Sequence, residues 1–276
     1  MSKLDLSLVG KKEKKGEFKY DWKDVVLYAV GIGAQANELQ FIYENAPGGL
    51  QVFPSFATII AQEALIFPGN IDFSRYLHGE MLIRLYHPFP KKGAIMRESE
   101  ITNIYDKGKG AVIITKTSGY LKNGTHVYDA DYTHFYVGAG GFGGDPGPKN
   151  EPLTPPEGIE PDFSITYKTA ENQAVIYRLS GDTNPLHVDP KFAKMGGQTK
   201  PILHGLCTYG FATRAILYGA CEGNVSRFKE FNARFTNVVY PGDNLTTEGW
   251  KFNDKYIIQV RTEKSVVLGN AYAIIE

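Results

Sequence analysis

The chain has 276 residues, 42% of them hydrophobic, and 30 basic side chains balance 30 acidic ones. That size buries a substantial core, as one large domain or two of modest size, and zero formal charge supplies no global field to recruit nucleic acid or an anionic membrane. No stretch has the length of a membrane span, and the N-terminus lacks the apolar core of a signal peptide. Cys207 and Cys221 are the only cysteines, with no Cys-x-x-Cys or zinc spacing, so a reducing compartment fits and both thiols read as packing residues.

In chain order, Lys11-Lys12-Glu13-Lys14-Lys15 reads as part of a solvated tail over residues 1–19. A helix should start at Asp21 as N-cap, carry Val25, Val26, Tyr28 and Ala29 on its apolar positions, and end at Gly31 and Gly33. Pro54 suits a first helical position ahead of Phe56, Ile59, Ile60 and Leu65, and Pro68-Gly69-Asn70 stops that element. After Leu77-His78-Gly79 come extended stretches at 81–87, 95–105, 111–120 and 125–137, rich in Ile, Val, Thr and Tyr. Lys91-Lys92-Gly93, Asp106-Lys107-Gly108 and Asn123-Gly124 separate them, the pattern of an antiparallel meander. Residues 138–143 satisfy G-x-G-x-x-G, but Asp145-Pro146-Gly147-Pro148 follows where a dinucleotide fingerprint needs a helix, so the stretch reads as the start of a linker.

Beyond the linker the order recurs. A strand at 163–167 precedes a helix at 171–180, and Pro190 opens a short helical turn. A helix then runs from His204-Gly205 to about residue 221, kept slim by Gly210, Ala212 and Ala215 so that it can be enclosed. Extended stretches at 228–240, 244–251 and 256–275 close the chain, the last a hairpin around Lys264-Ser265. Residues 25–31 (Val-Val-Leu-Tyr-Ala-Val-Gly) match 174–180 (Ala-Val-Ile-Tyr-Arg-Leu-Ser), and Leu77-His78-Gly79 recurs as Leu203-His204-Gly205. On that alignment Gly33, Gln35 and Glu38 stand where Asp182, Asn184 and His187 stand in the second copy, so the chain reads as a duplication with reactive residues in one copy.

Those residues lie in Tyr177-Arg178-Leu179-Ser180-Gly181-Asp182-Thr183-Asn184-Pro185-Leu186-His187, which puts an acid, an amide and an imidazole within six residues. Asn184-Pro185 should kink the chain and turn His187 back towards Asp182. Pro201-Ile202-Leu203-His204-Gly205-Leu206 looks like the start of a buried helix, with free backbone N–H groups. Alone, Asp182 reads as a turn or cap residue and His187 as structural; their joint appearance with Pro-x-x-His-Gly reverses both readings. His204 reads as a capping or packing residue, and His87, His126 and His134 receive no chemistry.

These motifs resemble the signature of the (R)-specific enoyl-CoA hydratase 2 family, the MaoC-like hydratase part of peroxisomal multifunctional enzyme type 2. The resemblance runs from about Tyr20 to the end and takes in 138–144, 177–187, 201–207 and Tyr240-Pro241-Gly242. It implies an α+β double hot-dog fold, each half an antiparallel β-sheet wrapped around a long central helix. The first repeat, 20–145, would be non-catalytic and widened for an acyl chain; 146–162 would be a linker; 163–276 would be the catalytic repeat. A homodimer is also implied. The reaction implied is reversible addition of water to trans-2-enoyl-CoA in fatty-acid β-oxidation, giving (3R)-3-hydroxyacyl-CoA.

In that reaction a base must deprotonate water as it attacks C3, a proton must reach C2, and the thioester oxygen must carry developing charge. His187 is the candidate base and Asp182 the partner that holds the water and manages the C2 proton, a division that could be reversed. Asn184 would fix the water or the Asp182 carboxylate, and the Gly205 N–H would receive the thioester oxygen at a helix N-terminus. Thr183, Pro185 and Leu186 would complete the substrate loop. By the resemblance, His78 and Gly79 contact the CoA thioester, Lys107 a CoA phosphate or ribose, and Phe235 lines the CoA pocket. The plainer roles are fold, solvated turn charge and core packing. No metal or cofactor is called for, since coenzyme A arrives as part of the substrate. The resemblance implies a peroxisome, although Ala273-Ile274-Ile275-Glu276 is no Ser-Lys-Leu type address, and the cytosol is the other expectation. A hot-dog acyl-CoA thioesterase and a non-catalytic acyl-CoA carrier are the rival readings, and the carrier leaves the acid and imidazole unexplained.

Overall fold

A computed structural model describes residues 4–149 and 151–276. The first half runs β1 (Lys12–Tyr20), α1 (Trp22–Gly31), α2 (Leu39–Ile42), α3 (Phe56–Gln62), β2 (Tyr76–Leu85), β3 (Gly93–Asp106), β4 (Gly110–Tyr120) and β5 (His126–Val137). The second runs β6 (Phe163–Lys168), α4 (Gln173–Tyr177), α5 (Pro190–Met195), α6 (Gly205–Gly219), β7 (Phe228–Phe235), β8 (Asn244–Phe252), β9 (Lys255–Arg261) and β10 (Val266–Ile275). The ten strands form one sheet in the order β1-β3-β4-β5-β2-β7-β10-β9-β8-β6. Each half therefore places its own strands in the order first, third, fourth, fifth, second, and the halves join where β2 pairs antiparallel with β7. This is the duplication expected from the sequence, in the double hot-dog arrangement.

The local reasons are visible at the residue level. Asp21 caps α1 with its carboxylate on the Lys23 N–H, while Asp24 accepts the Asp21 N–H in return. Residues 206–217 of α6 are all buried, so the helix is enclosed on every side. Gly210 makes that possible against the first half, because a Cβ there would lie 2.3 Å from Ile32 Cγ2. The halves are further tied at the end of α1, where the Gly31 carbonyl accepts the Gln173 amide at 2.7 Å and the Cys207 thiol at 3.3 Å. Tyr28 and Tyr177, the tyrosines that anchor the internal alignment, face each other with ring centroids 6.2 Å apart.

Three expectations need correction. Residues 12–19 are not tail: they belong to β1, the edge strand paired with β3, because Phe18 and Tyr20 carry its inner face onto the core. Among the described residues the first half has no long central helix; α3 has 7 residues against 15 in α6. And Leu77-His78-Gly79 does not correspond to Leu203-His204-Gly205, since the former lies in β2 and the latter opens α6. Three identical residues in two different conformations are a coincidence of composition.

The glycine loop at 138–144 has a physical use other than phosphate binding. The Asp106 carboxylate accepts the N–H groups of Gly108, Gly141 and Gly143, each at 2.8 Å, so an internal acid fills the nest where a phosphate would otherwise sit. Those bonds favour the charged form and hold the Asp106 pKa down at about 2. A depressed carboxylate pKa contributes stability above the unfolded value of about 3.9, and loses it as pH falls towards the folded value. Asp106→Asn should therefore lower the melting temperature at pH 6 but not at pH 2, as calorimetry at the two pH values would show.

Candidate active site

The loop between α4 and α5 is a chain of local caps. Gly181 takes φ 137°, outside the range of ordinary side chains, and turns the chain out of the 3-10 turn at Arg178–Ser180. The next residue, Asp182, accepts the Asn184 N–H on its carboxylate at 3.2 Å. Asn184 then caps the 3-10 turn Pro185–His187 by accepting the Leu186 N–H at 3.0 Å. So it is the Asn184 backbone that supports Asp182, while its side chain sets the turn that carries His187.

His187 is buried, and its Nδ1–H donates to the Ile202 carbonyl at 2.8 Å, which fixes the tautomer and leaves the lone pair on Nε2. Burial lowers its pKa, opposed by the Ile202 carbonyl and by Asp182, so the ring is neutral near pH 7. The His187 ring stacks on His204 at 3.7 Å, with 28° between planes. His204 is 1% exposed, makes no side-chain cap to α6, and donates its Nε2–H to the Asp182 carbonyl at 3.1 Å. Burial, then the neighbouring His187, lower its pKa to about 4. The sequence reading of His204 as a packing residue holds, but what it packs is the acid and the imidazole. Asp182, His187 and His204 each bring a donor atom within 4.8 Å of the others.

Gly205 is the first residue of α6 and is exposed, so its N–H has no intrahelical partner. A Cβ on Gly205 would stand 3.1 Å from the Phe235 ring, so Phe235 sits in tight contact with the start of α6 and would have to shift by a few tenths of an ångström for any other residue there. Phe235 contacts His78 at 4.9 Å between centroids. A register slip between His78 and Glu80 in the β2–β5 ladder marks a bulge at Gly79. His78 stacks on Tyr132 at 4.9 Å and on His134 at 5.0 Å. Burial drives the His78 pKa down to about 4 and that of His134 well below its usual value.

The structure thus joins Asp182, His187, His204, Gly205, Phe235 and His78 through direct contacts across both halves. Thr183, Pro185 and Leu186 lie in the same loop, Thr183 exposed and the others half-buried. Lys107 is not joined to this group by any contact among the described residues. It sits in the β3–β4 turn, with Nζ donating to the Pro146 carbonyl.

Two features escaped the sequence reading. The first is the His78–Tyr132–His134 stack, since no spacing in a strand reveals which ring of a neighbouring strand it meets. The second is a cleft of about 520 Å³ lined by Gln35, Glu38, Tyr167, Lys168, Arg214 and Tyr218, away from the acid and imidazole. There Glu38, aligned with His187, accepts Arg214 Nε at 2.8 Å, and Arg214 stacks 3.7 Å over Tyr167. A lone arginine inside the enclosed apolar helix α6 was the available signal.

Comparison with known proteins gives a consistent picture. Residues 18–138 match the MFE-2 hydratase 2 N-terminal domain and residues 153–272 the MaoC like domain. The chain is 40% identical over 288 residues to a protein named probable enoyl-CoA hydratase 2 from Dictyostelium discoideum, covering 98% of this chain and 95% of that one. It is 38% identical to the peroxisomal multifunctional enzyme type 2 of Mus musculus, covering 96% of this chain but 37% of that longer enzyme. A crystal structure of a MaoC-like dehydratase from Phytophthora capsici superposes with a TM-score of 0.90 at 30% identity, covering 99% of this chain and 97% of that one.

Proposed function

The chain belongs to the enoyl-CoA hydratase 2 family, and we propose that it is a hydro-lyase adding water reversibly to trans-2-enoyl-CoA to give (3R)-3-hydroxyacyl-CoA. The observation that carries this reading is the convergence of Asp182 and a neutral His187 within 4.8 Å, beside the open first turn of α6. A water touching both groups gives its proton to His187 Nε2 as its oxygen bonds to C3. The π electrons move towards C2 and the thioester oxygen, where the Gly205 N–H and the positive end of α6 meet the developing charge. The C2 proton is returned from the same pair, with Asp182 steadying the imidazolium between the two transfers. None of these steps calls on a redox cofactor or a metal.

The rest of the proposal concerns the CoA end and the setting. Phe235, packed against Gly205, and His78, packed against Phe235, are assigned to flank the thioester, and Lys107 to a CoA phosphate or ribose. A homodimer is proposed on the family resemblance and is checked by sedimentation velocity. A peroxisomal setting is supported by the name of the mouse relative. Among the described residues, no helix is long and apolar enough to cross a membrane.

The test of the reaction is loss of enoyl-CoA absorbance on adding enzyme, with chiral analysis of the product. The expected product is the (3R)-hydroxy thioester. An (S) product, or no hydration at any chain length, overturns the proposal, and release of free CoA from a saturated thioester would support a thioesterase instead.

A further inference from the structure

Resting on the hydratase reading, we infer that His204 is a positioning residue for the reaction: it sets the acid and the imidazole against each other and against the start of α6, without touching substrate. Three parts of the site meet on it. Its ring stacks on His187 at 3.7 Å, its Nε2–H donates to the Asp182 carbonyl at 3.1 Å, and its backbone is the N-cap of α6, next to Gly205. With the Asn184 N–H on its carboxylate, Asp182 is then held both on the main chain and on the side chain. The Ile202 carbonyl anchors His187 Nδ1, so the short segment before α6 holds both members of the pair. A helix start ordinarily gains from Ser, Thr, Asp or Asn, whose side-chain oxygen caps a free N–H. His204 makes no such bond: its side chain turns back to the loop, and the first-turn N–H groups stay open for a thioester oxygen.

At 1% exposure His204 acts only through its neighbours. Tyr177, itself fully buried, meets the same ring at 5.0 Å. With Nε2–H committed to Asp182, the lone pair of His204 lies on Nδ1, which is buried and has no partner. Protonating that nitrogen would bury an N–H without an acceptor. Burial, His187 and Arg178 disfavour the charged ring, and together they outweigh Asp182 and its carbonyl. The ring is therefore neutral at the pH of catalysis, and a proton taken by His187 stays on His187 for return to C2. The same flat, neutral ring covers one face of His187 against water, and burial is what lowers the His187 pKa.

Two variants separate the two side-chain contacts. His204→Gln keeps an amide donor for the Asp182 carbonyl and removes the ring, while His204→Phe keeps a ring for His187 and removes the donor. Each should lower kcat by about 10²-fold, the cost of misplacing a reacting group by about 1 Å. KM should stay nearly level, because neither side chain reaches substrate. In His204→Gln water meets the uncovered face of His187, so the acid limb of kcat/KM should move up in pH; in His204→Phe it should stay in place. A merely structural His204 would lower the melting temperature and leave kcat per folded molecule as in the parent. Parent-like kcat in either variant, or an unmoved acid limb in His204→Gln, overturns the inference. Nitrogen-15 NMR of the histidine rings reads the claim in the unmodified protein, and decides it should the variants not fold. His204 should stay neutral and protonated on Nε2 from about pH 5 to about pH 8, and its titration within that range overturns the inference. A protein whose His204 behaves so, and whose His187 titrates at higher pH in His204→Gln, yet hydrates nothing would refute the reaction and retain the positioning.

Discussion

His187→Ala should abolish hydration while leaving a folded protein, with kcat falling by about 10³-fold or more, the upper range for a positioned general base. Asp182→Asn should cost as much and is the more discriminating variant. An amide oxygen still accepts the Asn184 N–H that Asp182 Oδ1 accepts at 3.2 Å, so the turn survives while the carboxylate chemistry is lost. Near-normal turnover in Asp182→Asn would make Asp182 a turn residue and nothing more. The pH profile adds a signed check. Burial lowers the His187 pKa below its ordinary value of about 6.5. The base form is therefore fully present above that value, and kcat/KM should stay level from pH 7 to 8. Its acid limb should appear only below the ordinary histidine range. An acid limb centred above pH 7 would contradict the assignment of His187 as base.

Glu38→Leu should be among the most destabilising single changes in the chain. Glu38 and Arg214 are 6% and 3% exposed, and the removal would leave the guanidinium buried without its counter-charge. Breaking such a pair costs about 3–5 kcal/mol, a large share of the roughly 5–15 kcal/mol that holds a folded domain together. Arg214→Met should cost a similar amount by stranding the carboxylate. The double variant Glu38→Leu with Arg214→Met should recover much of the loss, because replacing both partners removes the desolvated charge altogether. Urea denaturation of the four proteins gives the cycle. Additive losses would show that the pair is not coupled as the geometry requires. Because Glu38 belongs to the first half and Arg214 to α6 of the second, the single variants should also loosen the docking that sets the active-site loop. Activity should then fall with stability and return in the double variant.

Much of the fold was legible because its signals are local. Asp21 before an apolar helical pattern, Asn123-Gly124 between alternating stretches, and Pro190 after Asp189 each act through bonds within a few residues, and each appears where expected. The duplication was legible from Tyr28 and Tyr177, and the strand order repeats it. The failures were of one kind. Lys11 to Lys15 look like tail because charge dominates a short window, yet alternate residues of β1 need only one inner face, and Phe18 and Tyr20 supply it. The likeness of Leu77-His78-Gly79 to Leu203-His204-Gly205 misled because a tripeptide carries no conformation by itself.

The sequence alone determined the proposed acid–imidazole cluster: Asp182, Asn184 and His187 are close in the chain, and a proline between them favours the turn that brings acid and imidazole together. It also determined the open N-terminus of α6 at Gly205, a property of any helix start without a side-chain cap. Only the tertiary structure decided how His187 is held: burial keeps the ring neutral, the Ile202 carbonyl fixes its tautomer, and His204 stacks on its face. It alone brought Phe235 against Gly205 and His78 against Phe235, and placed Ile59 beside Gly181. Those contacts join residues from different strands, helices and halves. Hydrophobic burial pulls such groups together without direction, and packing against every other side chain then selects which of them meet.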